Sequence, residues 1–116
     1  MIQEDQRADG RLASLAQWVS EVVGHGALNI RPVSTDASFR RYFRVQIDGA
    51  SYIAMDAPPA HEDLGPYLRI AARFGALGLN VPKILHRDLA RGFLLLTDLG
   101  ERLYLDHLAA ASVERL

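Results

Sequence analysis

The chain has 116 residues, 49% of them apolar and 23% charged, with a formal net charge of −1 and no cysteine. That length and balance describe one ordinary globular domain. They argue against a dedicated duplex binder, which needs clustered cations, and they exclude disulfides and thiolate metal sites. No apolar run approaches the ~20 residues needed to span a bilayer, and the polar start MIQEDQRADG has no signal-peptide core, so the expected compartment is the cytoplasm, with no membrane and no nucleic-acid partner.

A first helix is predicted over Gly10 to Val23, because Leu12, Leu15, Ala16, Val19, Val22 and Val23 recur at helical spacing. Asp9 suits its N-cap and Gly24 its end. Three strands follow. Leu28 to Val33 is short and leads into the polar run Ser34 to Ser38. Phe39 to Ile47 alternates, with Phe43, Val45 and Ile47 on one face and Tyr42, Arg44 and Gln46 on the other; Arg41 breaks the apolar set. Asp48-Gly49 signals a hairpin, and Tyr52 to Ala57 returns until Pro58-Pro59 stops it. A second helix starts near Pro66 and carries Tyr67, Ile70, Ala71, Phe74 and Leu77 on one face, with Gly78 after its last turn and Leu79 placed to touch Phe74. Val81 to Leu85 and Gly92 to Leu96 read as two further strands joined by a polar turn at His86 to Arg91. A last helix runs from about Leu103 to the end. This order predicts an α+β fold: one five-stranded antiparallel sheet with an N-terminal helix, a helix packed on it between the third and fourth strands, and a C-terminal helix.

The residues carry the pattern further. The blocks Asp36-Ala37-Ser38-Phe39-Arg40-Arg41-Tyr42-Phe43-Arg44-Val45, Tyr52-Ile53-Ala54-Met55-Asp56-Ala57-Pro58-Pro59 and Gly92-Phe93-Leu94-Leu95-Leu96-Thr97-Asp98-Leu99-Gly100 occur in this order. With the helix-βββ-helix-ββ order they resemble the N-terminal third of the aminoglycoside-phosphotransferase-like kinases, and most of all the anomeric N-acetylmuramate and N-acetylglucosamine kinases of cell-wall recycling. The resemblance implies a protein-kinase-like small lobe: residues 1–26 as an N-terminal helix, 27–100 as the lobe, and 101–116 as the start of a connection to a second lobe. It implies ATP as ligand, Mg2+ held by that second lobe, phosphoryl transfer to an amino-sugar hydroxyl once both lobes are present, and no catalytic residue or metal ligand in this chain. The C-terminal helix then has an apolar side that seeks a partner, and self-association through it is expected.

Within that resemblance the nucleotide-binding candidates are Ser34, Thr35, Asp36, Ala37, Ser38, Phe39 and Arg40 over the phosphates, Ala54 against the adenine, and Leu96, Thr97, Asp98 and Leu99 as the hinge whose backbone meets the base edge. A phosphate loop works through backbone N–H groups and small side chains; this one lacks the GxGxxG glycines, and a plain polar turn fits it too. Lysine is the usual phosphate clamp, yet Lys83 is the only lysine, and the clamp's place on the third strand holds Asp56. A carboxylate cannot grip a triphosphate directly. Asp56 therefore faces an arginine (Arg69 or Arg73 on the second helix) or a metal ion, or stands solvated at the strand end, with Arg40 or Arg41 supplying the clamp.

His86-Arg87-Asp88-Leu89 spells the catalytic tetrad of protein kinases, but the asparagine expected five residues after the aspartate is Phe93. The tetrad is read as a turn. His25, His61, His86 and His107 share no ligand spacing. The rival reading is a stand-alone α+β interaction module without catalysis.

Overall fold

The structure, a computed structural model, describes residues 2–24, 28–35, 40–78 and 81–100, with the backbone alone for residues 2–9 and 34–35. Among these the elements run α1 (Ile2–Val23), β1 (Leu28–Thr35), β2 (Arg41–Ile47), β3 (Ala50–Asp56), α2 (Gly65–Ala76), β4 (Ile84–Asp88) and β5 (Phe93–Thr97). The strands form one five-stranded antiparallel sheet in the order β1-β2-β3-β5-β4. This is the expected α+β small-lobe arrangement. The expected C-terminal helix lies outside the described residues. No helix among the described residues is long and apolar enough to cross a membrane.

Period-two alternation gives the sheet two apolar faces, and each helix covers one. On the first face Leu15, Trp18 and Val19 of α1 pack on Phe43, Val45, Ile47, Ala54, Phe93 and Leu95. The Trp18 and Phe93 rings lie 5.6 Å apart and tilted. On the second face Leu64 and Tyr67 cover Tyr42, Ile53, Met55, Leu94 and Leu96, with Ile70, Ala71 and Phe74 packed alongside. Burying one such aliphatic or aromatic side chain contributes about 1.5–3 kcal/mol, and a strand apolar on both sides, as Phe93-Leu94-Leu95-Leu96 is, must be covered twice.

The local chemistry explains the connections. Asp48 and Gly49 have φ of 50° and 81°, the left-handed pair that a tight two-residue hairpin requires. Pro66 sits in the first turn of α2, where its missing N–H costs nothing. Gly78 follows the helix with φ 79°; Leu79 lies outside the described residues.

Several boundaries differ from expectation. α1 starts at Ile2 rather than Gly10, and β1 continues to Thr35 across a bulge between Pro32 and Ser34. β4 spans Ile84–Asp88 rather than Val81–Leu85, so His86, Arg87 and Asp88 belong to a strand and the turn falls at 89–92. β4 is an edge strand with His86 and Arg87 exposed, and an edge tolerates polar residues that look like turn residues. Asp88 accepts from Arg91 at 2.7 Å, and this contact holds its carboxyl below the usual range.

Candidate functional site

Leu28 and Ile30 join the α1-side core, so Asn29 and Arg31 stand on the opposite face. The register aligns Asn29 with Gln46 and Gln46 with Ser51, and Arg31 with Arg44. Asn29, Arg31, Gln46 and Ser51 are exposed. β1 and β2 therefore present a polar floor on the face that α2 occupies farther along the sheet.

The segment after β5 closes one end of this floor. Asp98 turns back over the sheet and accepts from Arg44 Nε at 2.7 Å, Arg44 Nη2 at 3.2 Å and Ser51 Oγ at 2.6 Å. Its Oδ1 also takes the Gly100 N–H at 2.9 Å. The Arg44 hydrogen bonds, then the Ser51 hydroxyl and the Gly100 N–H, outweigh burial and lower its carboxyl from 3.8 to about 2. A carboxylate lowered on folding stabilises above its unfolded pKa and loses that contribution as pH falls through the folded value. The expected loss between pH 4 and pH 2 is about 2 kcal/mol. Acid unfolding of Asp98→Asn should lack this part of the transition, and a profile matching the native chain over that interval would contradict the assignment.

The paired ends of β1 and β2 stand at the other end. Thr35 pairs with Arg41, Arg41 with Asp56 and Asp56 with Phe93, whereas Thr97 pairs with Tyr52. Those two cross-strand rows are four residues apart on β5, or ~13 Å at ~3.3 Å per residue.

The predicted site residues fall into three groups. Ser34 and Thr35 end β1, while Asp36, Ala37, Ser38 and Phe39 lie outside the described residues. Leu96 is buried on the α2 side. Thr97 pairs with the strand entering β4: its N–H donates to Lys83 O at 3.0 Å and its hydroxyl accepts the Lys83 N–H at 2.9 Å. Asp98 and Leu99 follow it across the floor. Arg40, Ala54 and Asp56 are committed within the protein. Arg40 donates to Glu62 at 2.7 Å and lies over the Tyr67 ring. Ala54 is fully buried in the α1-side core.

Asp56 is not a solvated strand end. It is fully buried, and its partners are neither Arg69 nor Arg73. Arg11 Nε of α1 donates to Oδ1 at 2.7 Å, and Arg41 donates to Oδ2 through Nε at 3.0 Å and Nη2 at 2.6 Å. A buried carboxylate persists only when paired in this way.

Sequence reasoning overlooked Arg44 and Ser51 as site residues. The signal was present in the alternation, which puts Arg44 on the polar face beside Gln46. Among the described residues no three His, Asp or Glu side chains converge as a metal-ligand set.

With this geometry in place, comparison with known proteins identifies the class: the chain belongs to the phosphotransferase enzyme family (APH), whose pattern matches residues 29–116. It is 49% identical over 85 residues to the N-acetylmuramate/N-acetylglucosamine kinase of Pseudomonas aeruginosa, covering 73% of this chain and 25% of that protein. Proteins of the same description from Pseudomonas putida and Neisseria meningitidis are 40% and 38% identical, over 93% and 82% of this chain and 35% and 28% of theirs. The chain thus spans only a quarter to a third of the length of these relatives. No solved structure matches it.

Proposed function

We propose that this chain is the nucleotide-gripping small lobe of an ATP-dependent amino-sugar kinase working in the cytoplasm. The observation that carries the reading is the position of the two bounding segments. The Thr97–Gly100 stretch lies across one end of the polar floor of β1 and β2, and the paired strand ends Thr35 and Arg41 stand at the other. An extended nucleoside triphosphate fits such a span, with its base at the Thr97–Leu99 backbone and its phosphates toward the polar run Ser34 to Ser38. That the relatives are kinases of N-acetylmuramate and N-acetylglucosamine supports an amino sugar as acceptor. In the complete reaction the bond from the γ-phosphorus to the bridging oxygen breaks, ADP leaves, and a sugar hydroxyl takes the phosphoryl group and gives its proton to a base. This lobe's part is to bind and align the donor, which is most of what phosphoryl-transfer catalysis asks of a protein. The second lobe would supply the base and the magnesium ligands.

Titration of the isotope-labelled chain with ATP, followed by amide resonances, tests this. Shifts are expected at Arg31, Arg44, Ser51 and Thr97 to Gly100, with Leu15 to Val22 of α1 unmoved. Shifts confined to α1, or none at all, would overturn the reading.

A further inference from the structure

The lysine that clamps phosphate in other kinases has no counterpart on β3, and the arginines first considered for its role are committed. Arg11 and Arg41 hold Asp56, Arg40 holds Glu62, Arg44 holds Asp98 and Arg91 holds Asp88. Among the described residues the cations without a carboxylate partner are Arg31, Arg69, Arg73, Lys83 and Arg87.

Their places in the fold separate them. Leu68, Ala71 and Gly75 form the flank of α2 that meets Val81, Ile84, Lys83 and Arg87 on the β4 side. Arg69 and Arg73 lie on the opposite flank with Pro66 and Ile70 and line a hollow of ≈ 440 Å³ there. In the strand order β1-β2-β3-β5-β4, the flank away from β4 is the one turned toward β1 and β2. The Arg69 guanidinium also reaches back along the helix: its Nη1 is 3.2 Å, and Asp63 Oδ1 3.1 Å, from where a Cβ on Gly65 would stand, with no salt bridge between the two. That is the end of the sheet where β3 finishes, level with the paired strand ends Thr35 and Arg41.

The charge pattern is unusual for a surface helix. Arg69 and Arg73 are four residues apart and exposed, α2 contains no acidic residue, and no Asp or Glu occurs between Asp63 and Asp88. Like charges at this spacing repel, and the chain as a whole carries 14 acidic residues that could have neutralised them. Two guanidinium forks side by side, unpaired and edging a hollow, suit an anion with several oxygens.

We propose that Arg69 and Arg73 are the polyphosphate clamp of this lobe, taking from α2 the role that β3 leaves vacant. The proposal rests on the small-lobe reading above and names the residues that hold the triphosphate.

The test compares ATP and adenosine binding by resonance titration to the native chain, to Arg69→Gln/Arg73→Gln, and to Lys83→Gln/Arg87→Gln. All four side chains are exposed, so both variants should retain the native fold, which their spectra report directly. The first variant should weaken ATP ~10–100-fold, the range for losing charge-assisted hydrogen bonds, while leaving adenosine unchanged. The second should bind both as the native chain does. If the native chain binds ATP and Arg69→Gln/Arg73→Gln binds it equally well, the clamp is refuted and the lobe reading stands. Equal losses in the two variants would reduce the effect to general charge and also refute it. If the native chain binds neither ligand, the lobe reading fails and takes the clamp with it.

Discussion

Replacing Gly92 with alanine is expected to cost about 4 kcal/mol or more, most of the stability of a domain at the low end of the usual ~5–15 kcal/mol. Gly92 has φ 80°, and a Cβ there would stand 1.9 Å from the Ala57 carbonyl oxygen, 2.8 Å from its carbon and 3.1 Å from Pro59 Cδ. The obstacle is backbone, so no side chain can rotate away. The same neighbours are tied by hydrogen bonds: Ala57 N–H donates to Gly92 O at 2.8 Å, and Gly92 N–H donates to Asp88 O at 2.9 Å. The left-handed conformation adds ~1–2 kcal/mol for any residue with a Cβ. Urea unfolding followed by circular dichroism reads the cost, and a loss below ~1 kcal/mol would show that the β4–β5 turn is not built as described.

Asp56→Ala is expected to cost about 3 kcal/mol, in the range for breaking a buried ion pair by removing one partner. The loss has two parts. Asp56 ties α1, through Arg11, to β2, through Arg41. Its removal also leaves both guanidiniums beside apolar rings, Arg11 over Phe93 at 5.2 Å and Arg41 over Phe43 at 5.2 Å. Each guanidinium keeps partial solvent access, 28% and 29%, which holds the figure below that of a fully enclosed charge. A double-mutant cycle of Asp56→Ala with Arg11→Ala should return a coupling above ~1 kcal/mol; additive losses would mean that the two side chains do not act together.

The succession of elements along the chain and both helix faces were legible because they depend on short-range patterns: alternation in Tyr42 to Ile47, the Asp48-Gly49 turn, and helical spacing in Leu12 to Val23; the sheet order, which sets β5 between β3 and β4, was not. Nor was the fate of Asp56. Its partner Arg11 is 45 residues away in sequence, and the guanidinium that reaches it belongs to a helix whose docking face the sequence shows but whose docking site it does not. Trp18 was passed over although its spacing, three after Leu15 and four before Val22, already sets it on the apolar stripe of α1, where it meets Phe93. The polar letters of β4 misled because an edge strand and a turn share a composition. Arg69 and Arg73 were weighed only as partners for Asp56, and their freedom became visible once Arg11 and Arg41 were seen to occupy that carboxylate.

The sheet keeps its two apolar layers apart, so the two sides can drift independently. Substitutions at Leu15, Trp18 or Val45 retune how firmly the domain holds together while the floor beneath Arg44 and Ser51 stays in register. Substitutions at Tyr42, Met55 or Leu94 reach the layer beneath α2 and shift the helix that bears Arg69 and Arg73. Asp56 and Arg41 belong with Arg11 to the α1 layer, over Phe43 and Phe93, so a change there loosens that side and leaves the layer beneath α2 in place.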